Sequence, residues 1–231
     1  MKKYGKNYNK AKSNIPTSKQ TKVEAIKHCK ENASANFDES VDVAFSLGID
    51  TKSAEQNIRT TVSLPNGTGK DVKIAVFAGG EALTAAEEAG ADIVGGKELA
   101  TKVASEQKLD VDIVISTPEM MAEVGQLGKI LGPQGLMPNP KTGTVTKDVA
   151  TAVKNAKSGQ IRYRSDKGAI VHGRIGDITY TADQIKQNLE TLVEDLKRNK
   201  PPSAKGVFIK KITLSSTMGA GVEIDLSSLR I

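Results

Sequence analysis

The chain has 231 residues, a formal net charge of +6, 3% aromatic residues and a single cysteine. That length holds one large domain or two small ones, with cores built from Val, Ile, Leu and Ala. Cys29 alone excludes an internal disulfide and a cysteine-built zinc cage, no apolar run is long enough for a membrane span, and the basic N-terminus has no apolar segment behind it, so no secretory signal is expected and a reducing, cytoplasmic setting fits.

Charge is unevenly spread. Residues 1–22 carry seven lysines and no acid, residues 67–159 have a net charge of −2, and residues 160–231 a net charge of +4. A polyanionic partner would therefore be held by the ends of the chain, although the first run also reads as a plain solvated tail. After it, Thr21 and Glu24 have capping-box spacing, and Val23, Ile26 and Cys29 follow at helical intervals, predicting a helix to about Ala33. Val41, Val43, Phe45 and Leu47 alternate as in a half-buried strand, and RTTVSL (59–64) reads as another. LPNGTGK (64–70) is a turn-rich break.

Beyond residue 70 the texture changes. VKIAVFA (72–78), ADIV (91–94) and DVDIVIS (110–116) are strand-like, and GGEALTAAEEAG, KELATKVASEQ and TPEMMAEVGQLGKIL read as the helices between and after them. Apolar strands without polar alternation, alternating with helices, predict a parallel sheet covered on both faces. TKDVATAVKNAKSG (146–159) adds a helix ending at Gly159. From residue 160 the half-solvated pattern returns: strands QIRYRS and AIVHGRI, an amphipathic helix with Ile185, Leu189, Leu192 and Leu196 on one face, then strands VFIKKITL and VEIDL. The expected architecture is a split α+β domain, residues 1–66 plus 160–231, with an inserted three-layer parallel-sheet, Rossmann-like βα domain at 67–159. Its two short crossings would form a hinge.

Catalytic equipment is sparse. The Gly-Lys pairs are followed by Asn7, Asp71, Glu98 or Ile130 and never by a hydroxyl, so no P-loop exists, and Gly-x-Gly-x-x-Gly is absent. Glu81, after the first parallel strand, would repel phosphate. A nucleotide-dependent enzyme built on the βα layout thus rests on fold analogy alone. His28 and His172 lack metal spacing, and no metal or cofactor is expected. Asp110 and Asp112 share a face at a strand start, as a cation site or as solvated edge charges. For RNA, SSTMGAG (215–221) offers more: Ser215 and Thr217 hydroxyls for a ribose 2′-OH or phosphate, Met218 as an apolar surface, and Gly219 and Gly221 for close backbone approach. An ordinary hairpin turn is the competing reading. Phe37 in NFDES (36–40) reads as contact or core, and Arg162, Arg164 and Lys167 as phosphate ligands or a solvated strand face.

These segments resemble the L-one family of large-subunit ribosomal proteins over essentially the whole chain. The resemblance is carried by KILGPQGLMPNPKTGTV (129–145), NFDESVDVAFSLGID, NIRTTVSLPNGTGK and AKGVFIKKITLSSTMGAGVEID, in order and spacing. It implies a non-enzymatic protein on the large ribosomal subunit, monomeric off the ribosome. Its partners would be 23S rRNA at the base of a mobile stalk, E-site tRNA whose release it assists, and its own operon's mRNA, whose translation it represses. The Gly/Pro segment would lie in the inserted domain without cradling phosphate. Matched residue by residue, the RNA contacts would be Phe37, Ser40, Ser215, Thr217, Met218 and Gly219, with Arg164 and Lys167 as added cations. Asn36 stands where the family pattern leads one to expect a basic residue, and Ser40 where Thr is usual.

Overall fold

A computed structural model describes residues 5–16, 18–106 and 109–229. The chain divides into two compact units, one of residues up to Gly69 and from Ile161, the other of Lys70–Gln160.

The first unit opens with a helix, α1 (Lys6–Asn14), where a lysine-rich tail was expected. The first four residues and Thr17 of that basic run lie outside the described residues. Helix α2 (Lys22–Glu31) starts on the predicted capping box: Thr21 Oγ1 accepts the Glu24 N–H, and Glu24 accepts the Thr21 N–H at 3.1 Å. Strands β1 (Ser40–Leu47) and β2 (Arg59–Ser63) follow. Along β1 every second residue, from Val41 to Leu47, is buried, as the alternation predicts.

In the second unit β3 (Ile74–Phe77), α3 (Glu81–Glu88), β4 (Ile93–Gly95), α4 (Lys97–Glu106) and β5 (Ile113–Ser116) form a parallel sheet of order β4-β3-β5. Ile74, Val76, Ile113 and Ile115 pack with residues of α3 and of α7 (Val149–Lys157) on one face. Ala75, Phe77 and Val114 pack with α4 and the 118–131 segment on the other, which makes three layers. The single helix expected over 117–131 is instead a 3₁₀ turn (Pro118–Met120), α5 (Met121–Gln126) and α6 (Gly128–Leu131). Glycine at 125 and 128 weakens the helix between them, yet Met120, Val124, Leu127 and Leu131 remain buried across the break.

The Gly/Pro segment is stapled to this sheet. The Ser116 N–H donates to Thr144 O at 2.9 Å, the Thr146 N–H to Ser116 O at 3.2 Å, and Ser116 bridges Val145 in parallel. Inside the turn Thr144 Oγ1 accepts the Asn139 N–H at 2.8 Å, and the Thr142 hydroxyl donates to Asn139 O at 3.0 Å. Gly135 (φ 72°) and Gly143 (φ 67°) take the left-handed conformation that the turns require. Gly132 to Gly135 are exposed while Leu136 is buried.

The chain returns to the first unit through β6 (Gln160–Arg164), paired with β2, and β7 (Ile170–Asp177). Then come α8 (Ala182–Arg198), β8 (Ile209–Ser216) and β9 (Val222–Ile224). The main sheet is antiparallel with order β7-β1-β8-β9. One face packs Val41, Val43, Phe45, Ile212 and Leu214 on Ile26 of α2 and on Ile185, Leu189, Leu192 and Leu196 of α8. Asn188, fully buried on α8, donates to Gly67 O at 3.0 Å and Ile175 O at 2.8 Å and accepts the Asn66 N–H at 3.2 Å, fixing the turn at 64–69.

Candidate nucleic-acid interface

The less buried face of the main sheet carries Ser40, Asp42, Ala44 and Ser46 of β1. Residues paired across strands share a face, so Ser215, Thr213 and Lys211 of β8 and Arg174 and His172 of β7 join them. The result is a surface of small hydroxyl side chains around Asp42, edged by Arg174 and Lys211, which pair with Asp177 and Glu223.

At one end of this face two loops meet. The register that pairs Val41 with Ser216 sets Ser40 beside Thr217. The Ser40 N–H donates to Thr217 Oγ1 at 3.0 Å, the two hydroxyl oxygens lie 3.0 Å apart, and the Ser40 hydroxyl donates to Asp42 Oδ2 at 3.1 Å. Beneath them sits Glu39, only 1% exposed. Its Oε1 accepts the N–H groups of Ser34 and Ala35 at 3.0 and 2.9 Å, and its Oε2 accepts that of Met218 at 3.0 Å. One carboxylate therefore ties the 32–39 loop to the 216–221 turn. Burial pushes this carboxyl up, but the Met218 N–H, the nearby Ser216 hydroxyl and the Ala35 and Ser34 N–H groups outweigh it and hold the group below its ordinary value.

Phe37 and Met218 project from the tied loops, 57% and 61% exposed. Phe37 is thus surface and not core. Both line a cleft of about 540 Å³ whose far wall is Lys6 and Tyr8 of α1.

The glycines of the turn work inward. A Cβ at Gly219 would lie 2.4 Å from Ser216 Oγ, and one at Gly221 would lie 2.8 Å from Thr213 Cγ2. The chain's own side chains fill the space that the sequence suggested for an approaching partner backbone. The turn is also a hairpin connection, since Leu214 pairs with Val222 across it.

Arg164 and Lys167 are exposed but lie elsewhere. They flank the turn that enters β7 at Ile170, which pairs with Ser46, whereas Asp177 at the other end pairs with Ser40. The two groups thus stand at opposite ends of β1, about 20–25 Å apart for a strand of this length. At the Lys167 end Asp166 accepts the Ile170 and Gly168 N–H groups at 2.8 and 2.9 Å, which lowers its pKa, and it lies 3.8 Å from His172 Nε2.

Asp112 is engaged by the Lys70 ammonium and the Lys73 N–H, and Asp110 lies 3.4 Å from Lys73 Nζ. These contacts replace the cation reading with lysine pairing. The turn after β3 presents Glu81 in the first turn of α3, where a phosphate would meet negative charge.

Sequence reasoning missed Glu39, Lys6 and Tyr8. Glu39 was in plain view within NFDES, and strand alternation continued back from the outward-facing Ser40 turns Glu39 inward. Lys6 and Tyr8 gave no such signal.

Comparison with known proteins identifies the family. The chain is 58% identical over 206 residues to the large ribosomal subunit protein uL1 of Pseudoalteromonas atlantica, an alignment covering 89% of this chain and 88% of the relative. It is 53% identical over 218 residues to that of Cellvibrio japonicus, covering 94% of each, and 54% identical over 230 residues to that of Proteus mirabilis, covering 99% and 98%. Residues 26–220 match the Ribosomal protein L1p/L10e family, and the chain belongs to that family.

Proposed function

We propose that this protein is a structural constituent of the large ribosomal subunit that binds 23S rRNA at the mobile stalk beside the E site. On the same reading it assists release of deacylated tRNA and, off the ribosome, represses its own operon by binding mRNA with the same surface. Family membership supports the ribosomal setting. The observation that carries RNA binding is the pair of exposed apolar side chains, Phe37 and Met218, held beside the Ser40–Thr217 hydroxyls by one buried carboxylate. Two large apolar residues left in water on rigidly tied loops mark a contact surface. Hydroxyls next to them suit ribose 2′-OH groups and phosphate oxygens. The lysine-rich start of the chain adds attraction without sequence preference.

A filter-binding titration of the full chain against a 23S rRNA fragment spanning the stalk base tests this. Thr217→Val is expected to weaken binding by about 1–3 kcal/mol, since it removes a hydroxyl and leaves the Ser40 N–H unpaired. Thr217→Ser keeps both and should bind as the parent does. Equal affinity of all three would remove the turn from the interface. Sedimentation with the 50S particle separates a ribosomal protein from a free repressor.

A further inference from the structure

We infer that the cleft between α1 and the two tied loops is a receptor for a single unstacked RNA base, gripped between Tyr8 on one side and Phe37 with Met218 on the other. The inference rests on the RNA-binding reading and gives this corner of the surface one ligand. Three observations carry it. Phe37 and Met218 are two of the four large hydrophobics exposed among the described residues, and both line this one opening. Its volume of about 540 Å³ falls within the roughly 300–1,000 Å³ typical of small-ligand pockets, enough for a base with its sugar. Among the described residues Lys6 is the only charged one lining it and no carboxylate does, and the first 22 residues hold seven lysines without an acid, so the rim complements phosphate.

The chemistry follows from these parts. A base removed from its helix exposes two π-faces, and aromatic and thioether side chains cover such faces whatever the base. Ser34 and Ala35 line the same cleft beneath Phe37, and their N–H groups are already committed to Glu39. What they leave for the base edge is the Ser34 hydroxyl, which donates or accepts alike, so the site selects for an unpaired nucleotide and not for its identity. Helix α1 thereby becomes one wall of a recognition site.

The test uses the full chain and the stalk RNA fragment carrying 2-aminopurine at each unpaired position in turn. Binding should quench one position, and Tyr8→Ala and Phe37→Ala should each abolish that quench and weaken binding about five- to a hundredfold. The salt slope should be unchanged in both, and Tyr8→Phe should behave as the parent. Met218→Ala, at an exposed position, gives a second reading if Tyr8→Ala fails to fold. Parent protein that binds RNA with no quenched position, or with every variant at parental affinity, overturns the cleft alone, as does a cleft reserved for another protein, which leaves RNA affinity untouched. Parent protein that fails to bind the RNA overturns both readings.

Discussion

Glu39 shows how one side chain sets a surface. Its depressed carboxyl contributes stability that is complete above the ordinary value of 4.5 and is lost as pH falls through the lower folded value, because protonation weakens three hydrogen bonds that the unfolded chain lacks. Glu39→Gln should cost about 1–3 kcal/mol at neutral pH. In urea titrations the gap to the parent should narrow as pH drops below 4.5, and a gap constant with pH would show that the charge is not what the loops need. This residue also marks the limit of sequence reading. Phe37, Ser40, Thr217 and Met218 could be singled out because their motif was legible, whereas a buried acid between Asp38 and Ser40 looks like any other acid until its donors, the farthest of them 179 residues away at Met218, are in place. Tyr8 was illegible for the same reason, because the residues it faces belong to other elements.

The strands of both units follow their hydrophobic periods, since β1 must bury every second residue and β3 must bury all four. Helix α1 carries no such signal: among its described side chains only Ala11 is buried, and its Asn- and Lys-rich sequence reads as tail. The break between α5 and α6 was hidden because apolar spacing continues across it. Elsewhere the backbone itself supplies the constraint. A Cβ at Gly48 would lie 2.2 Å from Val207 O, and the Gly48 N–H donates to Phe208 O at 2.7 Å, so β1 and the chain entering β8 touch there. Gly48→Ala should destabilise by about 1–3 kcal/mol in urea or thermal unfolding, the scale of overpacking. Asn188→Ala should cost about 2–4 kcal/mol by the same measurement, as it strands the buried Ile175 carbonyl together with the half-buried Gly67 carbonyl and Asn66 N–H.

At the scale of the whole chain, the proposed RNA-binding reading divides the work between charge and shape. Removing residues 1–19 takes away six lysines, and the dependence of log affinity on log salt should flatten by up to about 0.9 for each that met duplex phosphate. Because Tyr8 leaves with them, some affinity should be missing even at high salt, in proportion to the loss in Tyr8→Ala. Loss of affinity confined to low salt would mean that α1 acts through charge alone. The separation of Thr217 from Lys167 along β1 has one more effect. A strand is stiff, so its two ends act as the fixed jaws of a gauge, spanning on the order of seven base-pair steps of a duplex. Short oligonucleotides can reach one jaw at a time and gain nothing from the other. On the proposed RNA-binding reading, only a ligand already folded to that length would engage both, and the protein would measure the tertiary shape of its target before reading any nucleotide.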